Sequence, residues 1–369
     1  MSKKGPAPDF NNGYRGELIK LLLNFGCVTT RGLALLPGNY RMYIRKLHSL
    51  EKEGVVAEYF IGRQIKAARM VSGADAGWRE RVPDELCSWY DECSSAVGEM
   101  LGQKAKQEMS VRKGETNLMM YAAGIPSLID ERQGLADMMK ARQKNICFFP
   151  IQEMRHYWRD NGGLDPVTAT RATGFLLCDK TPMAVYHTGN RQLRWSETTE
   201  DSFRHACGTI GRVLGYGSDI LKVNSAVMFY GDEKVLYDMV NMKKAGDVSG
   251  TLHNVKNTYY HLYVLPYNET GRDLLPYIVS DEYRTELLDS IIPDRKKSTS
   301  IVDCDSINGL THELVYCIPD MPRLYKFAKE ASGASNNSKF RVYCYEWQRP
   351  FVEHVCEDSN IEIQTVKGG

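Results

Sequence analysis

Between Arg15 and Asn24 the apolar residues Leu18, Leu21 and Leu22, with Phe25 just beyond, recur at the three- and four-residue spacing of one helix face. Gly26 follows, the residue best able to end a helix in a left-handed turn. Thr29 or Thr30 is placed to cap a second helix, which runs to Leu36 before Pro37 and Gly38 break the chain. Asn39 caps a third helix with the apolar stripe Tyr40, Tyr43, Ile44, Leu47 and Leu50, and Gly54 stops it. The pattern then changes to alternation. Residues 55–61 and 64–71 read as the strands of a hairpin, with Gly62 and Arg63 at its turn. Three helices and a hairpin in this order predict a winged helix-turn-helix over residues 14–72.

Residues 75–145 read as a helical connector. Trp78, Leu86, Trp89, Tyr90, Val97 and Leu101 fall at roughly helical steps, and 118–124 forms another helix with a glycine stop. The charged run Lys104–Lys113 is expected to be a solvated face. From 147 to 369 short strands and helices alternate. A hairpin over 175–189 turns at Asp179–Pro182, and strands are expected at 225–230, 259–266, 300–305, 313–319, 340–345 and 361–366. Helices are expected at 197–214, 233–243, 281–292, 323–332 and 350–356. Apolar strands interleaved with helices predict an α/β domain with a mixed sheet, so the chain as a whole reads as an α+β or α/β multidomain protein.

Composition narrows the class. The chain has 369 residues, 43% hydrophobic and 25% charged, the mix of a soluble globular protein. No run approaches the roughly 20 apolar residues of a membrane span, and no apolar run follows the charged N-terminus as it would in a secretory signal. Ten cysteines without a Cys-x-x-Cys pair suit reduced thiols in a cytoplasm. Net charge is only +1, but it is unevenly spread. Residues 1–72 hold twelve Lys and Arg against five acids, a balance of +7 that leaves −6 for the remainder. A basic module on an acidic body is the asymmetry of a domain that meets phosphates, so double-stranded DNA is the expected partner.

The candidate DNA contacts follow from that geometry. The third helix of such a unit enters the major groove and reads base edges with its N-terminal half. Asn39 and Tyr40 open it, and Arg41, Arg45 and Lys46 lie opposite the apolar stripe, with His48 and Lys52 further along. Arg41 and Arg45 are four apart and share a face, within reach of guanine edges or phosphates. Thr29, Thr30 and Arg31 begin the preceding helix, where hydroxyls and backbone amides meet a phosphate. Arg63 at the hairpin tip, with Lys66 and Arg69 behind it, is where a wing lies against the backbone.

A second candidate is acidic. Asp294, Asp303, Asp305 and Glu313 fall across two expected strands, and paired carboxylates of this kind hold magnesium in nucleases. Asp303 and Asp305, two apart, would face one side of a strand. The catalytic Lys that would complete the pattern is missing, since Leu314 and Val315 follow Glu313. No catalytic residue, metal or cofactor is assigned. The glycines between Gly208 and Gly217 match neither the dinucleotide fingerprint nor the phosphate loop, and read as helix-end packing. His253 and His261, the nearest histidine pair, lack zinc spacing. Tyr259, Tyr260, Tyr263, Tyr267, Tyr343 and Tyr345 read as half-buried strand positions, with base stacking as the alternative.

The N-terminal pattern, the segment 114–125, the segment Thr170–Leu177 and the segment Val185–Asn190 together resemble the replication-relaxation family of plasmids and conjugative elements. That family pairs a winged helix with a C-terminal domain related to restriction-endonuclease folds. The resemblance implies a cytoplasmic accessory protein of a mobile element, which binds duplex DNA at an origin of transfer or replication and helps a relaxase or replication protein assemble. Two other readings stay open: a transcriptional regulator whose α/β domain senses a ligand or protein, and a metal-dependent nuclease. No heptad seam fixes an oligomeric state, though winged helices often dimerise.

Overall fold

The computed structural model describes residues 13–61, 65–71, 77–82, 84, 86–91, 104–161, 170–191, 193, 196–241, 259–296, 302–334 and 338–368. The expected lead over 1–13 falls, but for Gly13, outside the described residues, as do the Gly62–Arg63 turn and His253. The chain divides into two compact units, Met1–Leu135 with Phe148–His156, and Ala136–Cys147 with Tyr157–Gly369. Both are mixed helix and strand.

In the first unit α1 spans Gly13–Phe25, α2 Thr30–Leu33 and α3 Tyr40–Lys52. Thr29 caps α2 by accepting the Gly32 N–H, and Asn39 caps α3 by accepting the Arg41 N–H. Strands β2 (Val56–Ile61) and β3 (Ile65–Met70) pair antiparallel. A two-residue strand unmarked in the sequence, β1 (Val28–Thr29), pairs with the other side of β3, giving the sheet order β1-β3-β2. Leu18, Leu22, Val28, Leu33, Tyr43, Leu47, Leu50 and Met70 bury together with Trp78, Tyr90 and Leu118 in one core. Trp78 and Tyr90 seal it with hydrogen bonds to the Val71 and Met70 carbonyls.

The helix α4 (Lys104–Ala122) belongs to that core. From Val111 to Met120 every residue but Arg112 is buried, so the end of the charged run is not the solvated face its composition suggested. Even Lys113 is only 8% exposed. The reason is close packing on β1: a Cβ at Gly114 would lie 2.6 Å from Cys27 Sγ and 2.7 Å from the Cys27 carbonyl. Next along the chain come α5 (Leu135–Ala141), β4 (Cys147–Pro150) and α6 (Ile151–Asp160). Buried Glu153 on α6 ties them by accepting from Arg132 and from the Leu135 N–H.

The second unit holds two mixed sheets. One has the order β5-β6-β7-β8, with β5 (Gly174–Leu177) antiparallel to β6 (Met183–Gly189), and β6, β7 (Ser225–Tyr230) and β8 (His261–Pro266) parallel. The division between the units falls inside β4. Helices α7 (Glu197–Val213) and α8 (Lys234–Asn241) are the crossovers that parallel pairing requires. After α9 (Glu269–Val279) and α10 (Asp281–Ile291) comes a second sheet of order β12-β11-β10-β9. Here β9 (Ser306–Asn308) is antiparallel to β10 (Thr311–Val315), while β10, β11 (Lys339–Tyr345) and β12 (Ile361–Val366) are parallel. Helices α11 (Met321–Gly333) and α12 (Arg349–Val355) connect them.

The sequence pattern missed α9, which carries Pro276 in its interior but is capped by Asn268 and buries Leu274, Leu275 and Ile278. Asp303 and Asp305 precede β9 in an irregular segment and do not sit on a strand. Gly208 lies inside α7, where a Cβ would come 2.7 Å from the Leu221 carbonyl, so close helix–loop packing accounts for it. The nine described cysteines are buried and none is in a disulfide. Among the described residues no helix is long and apolar enough to cross a membrane.

Candidate nucleic-acid interface

Helix α3 divides cleanly into two faces. Tyr43, Leu47 and Leu50 are buried, and Ile44 packs partly against the same core. The Tyr43 hydroxyl, donating within reach of Glu17 (2.6 Å) and the Pro37 carbonyl (3.1 Å), anchors the inner face to α1. The outer face carries Arg41, Arg45, His48 and Lys52, all exposed. At about 100° per residue these four fall within roughly 60° of one another, a basic stripe about 16 Å long. Among the described residues the Arg41 and Arg45 guanidinium groups have neither a hydrogen bond nor an ion pair.

Tyr40 is a partial correction to the apolar stripe, because it sits in the first turn at 42% exposure. It flanks the same face as Arg41. The start of α3 is held from two sides: the Asn39 side chain caps the Arg41 N–H at 3.0 Å, and the Asn39 N–H donates to the Tyr14 hydroxyl at 2.9 Å. Asn39 therefore acts first as a cap, with its side-chain oxygen engaged. Lys46 is half-buried and helps Arg15 and Ser49 hold the Glu53 carboxyl below its ordinary range, the Arg15 hydrogen bond being the main cause.

The residues beginning α2 are placed differently from their expected role. Thr29 is fully buried, and its hydroxyl caps Gly32 and donates to Glu115 at 3.0 Å. It cannot meet a phosphate without unfolding the cap. Arg31 forms a two-pronged ion pair with the same carboxylate, Glu115, which is 0% exposed. Its charge is taken by the protein. Thr30 makes one long bond to the Lys66 carbonyl and stays half-exposed. On the hairpin, Lys66 is ion-paired with Glu58, and its ammonium lies 3.2 Å from His48 Nε2. That contact joins β3 to the outer face of α3. Arg63 lies outside the described residues.

The +7 counted along residues 1–72 already includes Glu53 and Glu58, which pair with Arg15 and Lys66, and it is further offset from outside the segment by Glu115 on Arg31 and by Asp130 and Glu131 on Lys20. The uncancelled charge concentrates on α3. Glu115, Asp130 and Glu131, which neutralise Arg31 and Lys20, are some 80–110 residues away in sequence, which is why charge counting missed them.

The carboxylates of the second unit are likewise engaged. Asp303 and Asp305 both grip Arg323, at 2.9 and 2.8 Å, and Asp305 also accepts the Val315 N–H at 2.8 Å. Glu313 accepts from the Tyr343 hydroxyl at 2.9 Å and from Arg341 at 3.2 Å. Asp294 is exposed in a turn after α10. Among the described residues no group of three or more His, Cys, Asp or Glu is arranged to hold a metal. Of the tyrosines, Tyr259, Tyr263, Tyr343 and Tyr345 are buried, while Tyr260 is 63% exposed. Compared with known proteins, the chain matches no family model, no curated protein and no solved structure.

Proposed function

We propose that residues 14–72 form a winged helix-turn-helix that binds double-stranded DNA, with α3 in the major groove and the β2–β3 hairpin as its wing. The observation that carries this reading is the stripe Arg41, Arg45, His48 and Lys52, exposed opposite the buried Tyr43, Leu47 and Leu50. Arg41 and Arg45, without a hydrogen bond or ion pair among the described residues, are what a phosphate backbone would neutralise. Arg41 and Arg45, in the first half of α3, are the base-reading candidates, and Tyr40 and Lys46 flank them. Thr30 would supply a backbone contact, and Lys66 would do so only by exchanging its Glu58 ion pair for a phosphate.

The test is an anisotropy titration of a labelled duplex across a salt series. The Arg41→Ala/Arg45→Ala double variant is expected to lose affinity sharply; equal affinity for parent and variant across the series overturns the reading. The biological setting follows from the family resemblance: an accessory factor of a mobile element, acting beside a relaxase or replication protein. A footprint of the protein on its own genomic neighbourhood tests this. Protection at a transfer or replication origin supports it, and protection confined to promoters replaces it with a transcriptional regulator.

A further inference from the structure

Given duplex binding through α3, the reading on which this rests, we propose that the complex takes up one proton at His48. The charged imidazole then takes over the Glu58 carboxylate and releases Lys66 to a backbone phosphate.

Three side chains from three elements meet beside the basic stripe: His48 from α3, Glu58 from β2 and Lys66 from β3. Lys66 is ion-paired with Glu58 through Oε2, and its ammonium lies 3.2 Å from His48 Nε2. The other Glu58 oxygen, Oε1, is buried and accepts no hydrogen bond among the described residues. It lies 3.7 Å from the same His48 nitrogen. The Glu58 side chain is 8% exposed and that of His48 49%, so the carboxylate is sheltered while the ring is open to solvent.

An ammonium only donates, so its contact at 3.2 Å belongs to a neutral imidazole with a bare lone pair on Nε2. A proton from solvent turns that nitrogen into a donor. Nε2 then has a cation on one side and a carboxylate oxygen lacking a donor on the other, and both favour a turn toward Glu58. The charge of the trio rises from zero to +1. One carboxylate cannot neutralise two cations. The surplus falls to Lys66, whose flexible four-carbon stem lets its ammonium leave, while the imidazole is held close to the helix. Histidine ordinarily changes charge between pH 5 and 8, so the exchange falls in the physiological range.

The surrounding charges explain why DNA drives the exchange. One turn away on α3 stand Arg45, Glu51 and Lys52, all exposed. Arg45 and Lys52 oppose a further positive charge and Glu51 favours it; phosphates that neutralise the two cations remove the opposition. The other elements packed on α3 hold engaged groups. Arg15 and Glu17 of α1 are bonded to Glu53 and Tyr43, and Arg31 of α2 to Glu115. Arg69 of β3 sits over the Tyr59 ring, and alternation puts it on the face of the hairpin opposite Lys66.

The test is duplex affinity by anisotropy at pH 6 and pH 8, each across a salt series, for the parent, His48→Gln and Lys66→Gln. A roughly tenfold preference of the complex for charged imidazole makes the parent bind about 5- to 10-fold more tightly at pH 6. Its slope of log K against log salt should also be steeper there by about 0.9, one added phosphate contact. His48→Gln keeps an acceptor for Lys66 but takes no proton, so its affinity should change less than about twofold between the two pH values. Lys66→Gln should lose the pH-dependent part of the slope. Equal parent affinity at both pH values, or a pH response that His48→Gln retains, overturns the proposal. A steeper slope at pH 6 that Lys66→Gln retains also overturns it, because the imidazolium then meets the phosphate itself. In each of these outcomes duplex binding stands; absence of duplex binding at both pH values removes both readings. Melting curves at both pH values check that the parent and the variants are folded.

Discussion

Arg31 and Glu115 face each other across 84 residues of chain, the guanidinium closing on a carboxylate with no exposed surface. Thr29 completes the arrangement at 3.0 Å. Removing Arg31 leaves a buried, uncompensated charge, and breaking such a pair costs about 3 kcal/mol or more. Arg31→Ala should therefore lower the urea midpoint of unfolding substantially. Glu115→Gln, which keeps an acceptor for Thr29, should cost less. Equal stability of Arg31→Ala and the parent would show that the pair contributes nothing.

Because Arg31 is occupied, its loss should leave the salt dependence of duplex binding unchanged, measured on variant that remains folded. Arg41→Ala and Arg45→Ala should each weaken duplex binding by about 1–3 kcal/mol and relax sequence preference, and should lower the slope of log K against log salt by about 0.9 where the arginine also meets a phosphate. A slope change for Arg31→Ala as large as for Arg41→Ala would mean that the ion pair opens on DNA.

Gly114 carries the contact between α4 and β1. Its added Cβ would meet the Cys27 backbone at 2.7 Å, where no side-chain rotation gives relief. Gly114→Ala should destabilise the first unit by about 1–3 kcal/mol, despite alanine's better helix propensity. Chemical denaturation checks this. A stabilised variant would mean that α4 lies further from β1.

Glu200 gives a pH signature. Burial raises its carboxyl above the ordinary value of 4.5, even though Thr170, the Arg171 N–H and Tyr186 donate to it. The folded protein thus holds this proton more tightly than the unfolded chain does. The resulting stabilisation is complete below the ordinary glutamate range and is lost as pH rises through the folded-state value. Glu200→Gln does not titrate, so its stability relative to the parent should increase between about pH 4 and pH 7. Paired melting curves at the two pH values test the sign; a relative loss on raising the pH contradicts it.

Most elements were legible from local pattern. Asn39 announced the start of α3, the spacing of Tyr43, Leu47 and Leu50 announced its buried face, and the turn residues Asp179–Pro182 announced the β5–β6 hairpin. Helix α9 was not legible, because Pro276 argues locally against a helix that burial of Leu274, Leu275 and Ile278 sustains. The exposed face of α3 was legible, because helical periodicity puts Arg41 and Arg45 opposite the core. The engagement of Thr29 and Arg31 was not, because Glu115, which claims both, lies far along the chain.

The meeting of His48 with Glu58 and Lys66 had no sequence signal at all, since it depends on how the hairpin folds back on α3. By itself the sequence determined period, caps and the sign of charge along each segment, which are set by neighbours within a few residues. Which charges remain free and which polar atoms lack partners was decided only by the tertiary structure. Ion pairs and buried hydrogen bonds depend on distance in space, and residues 84 apart in the chain can be nearest neighbours in the fold.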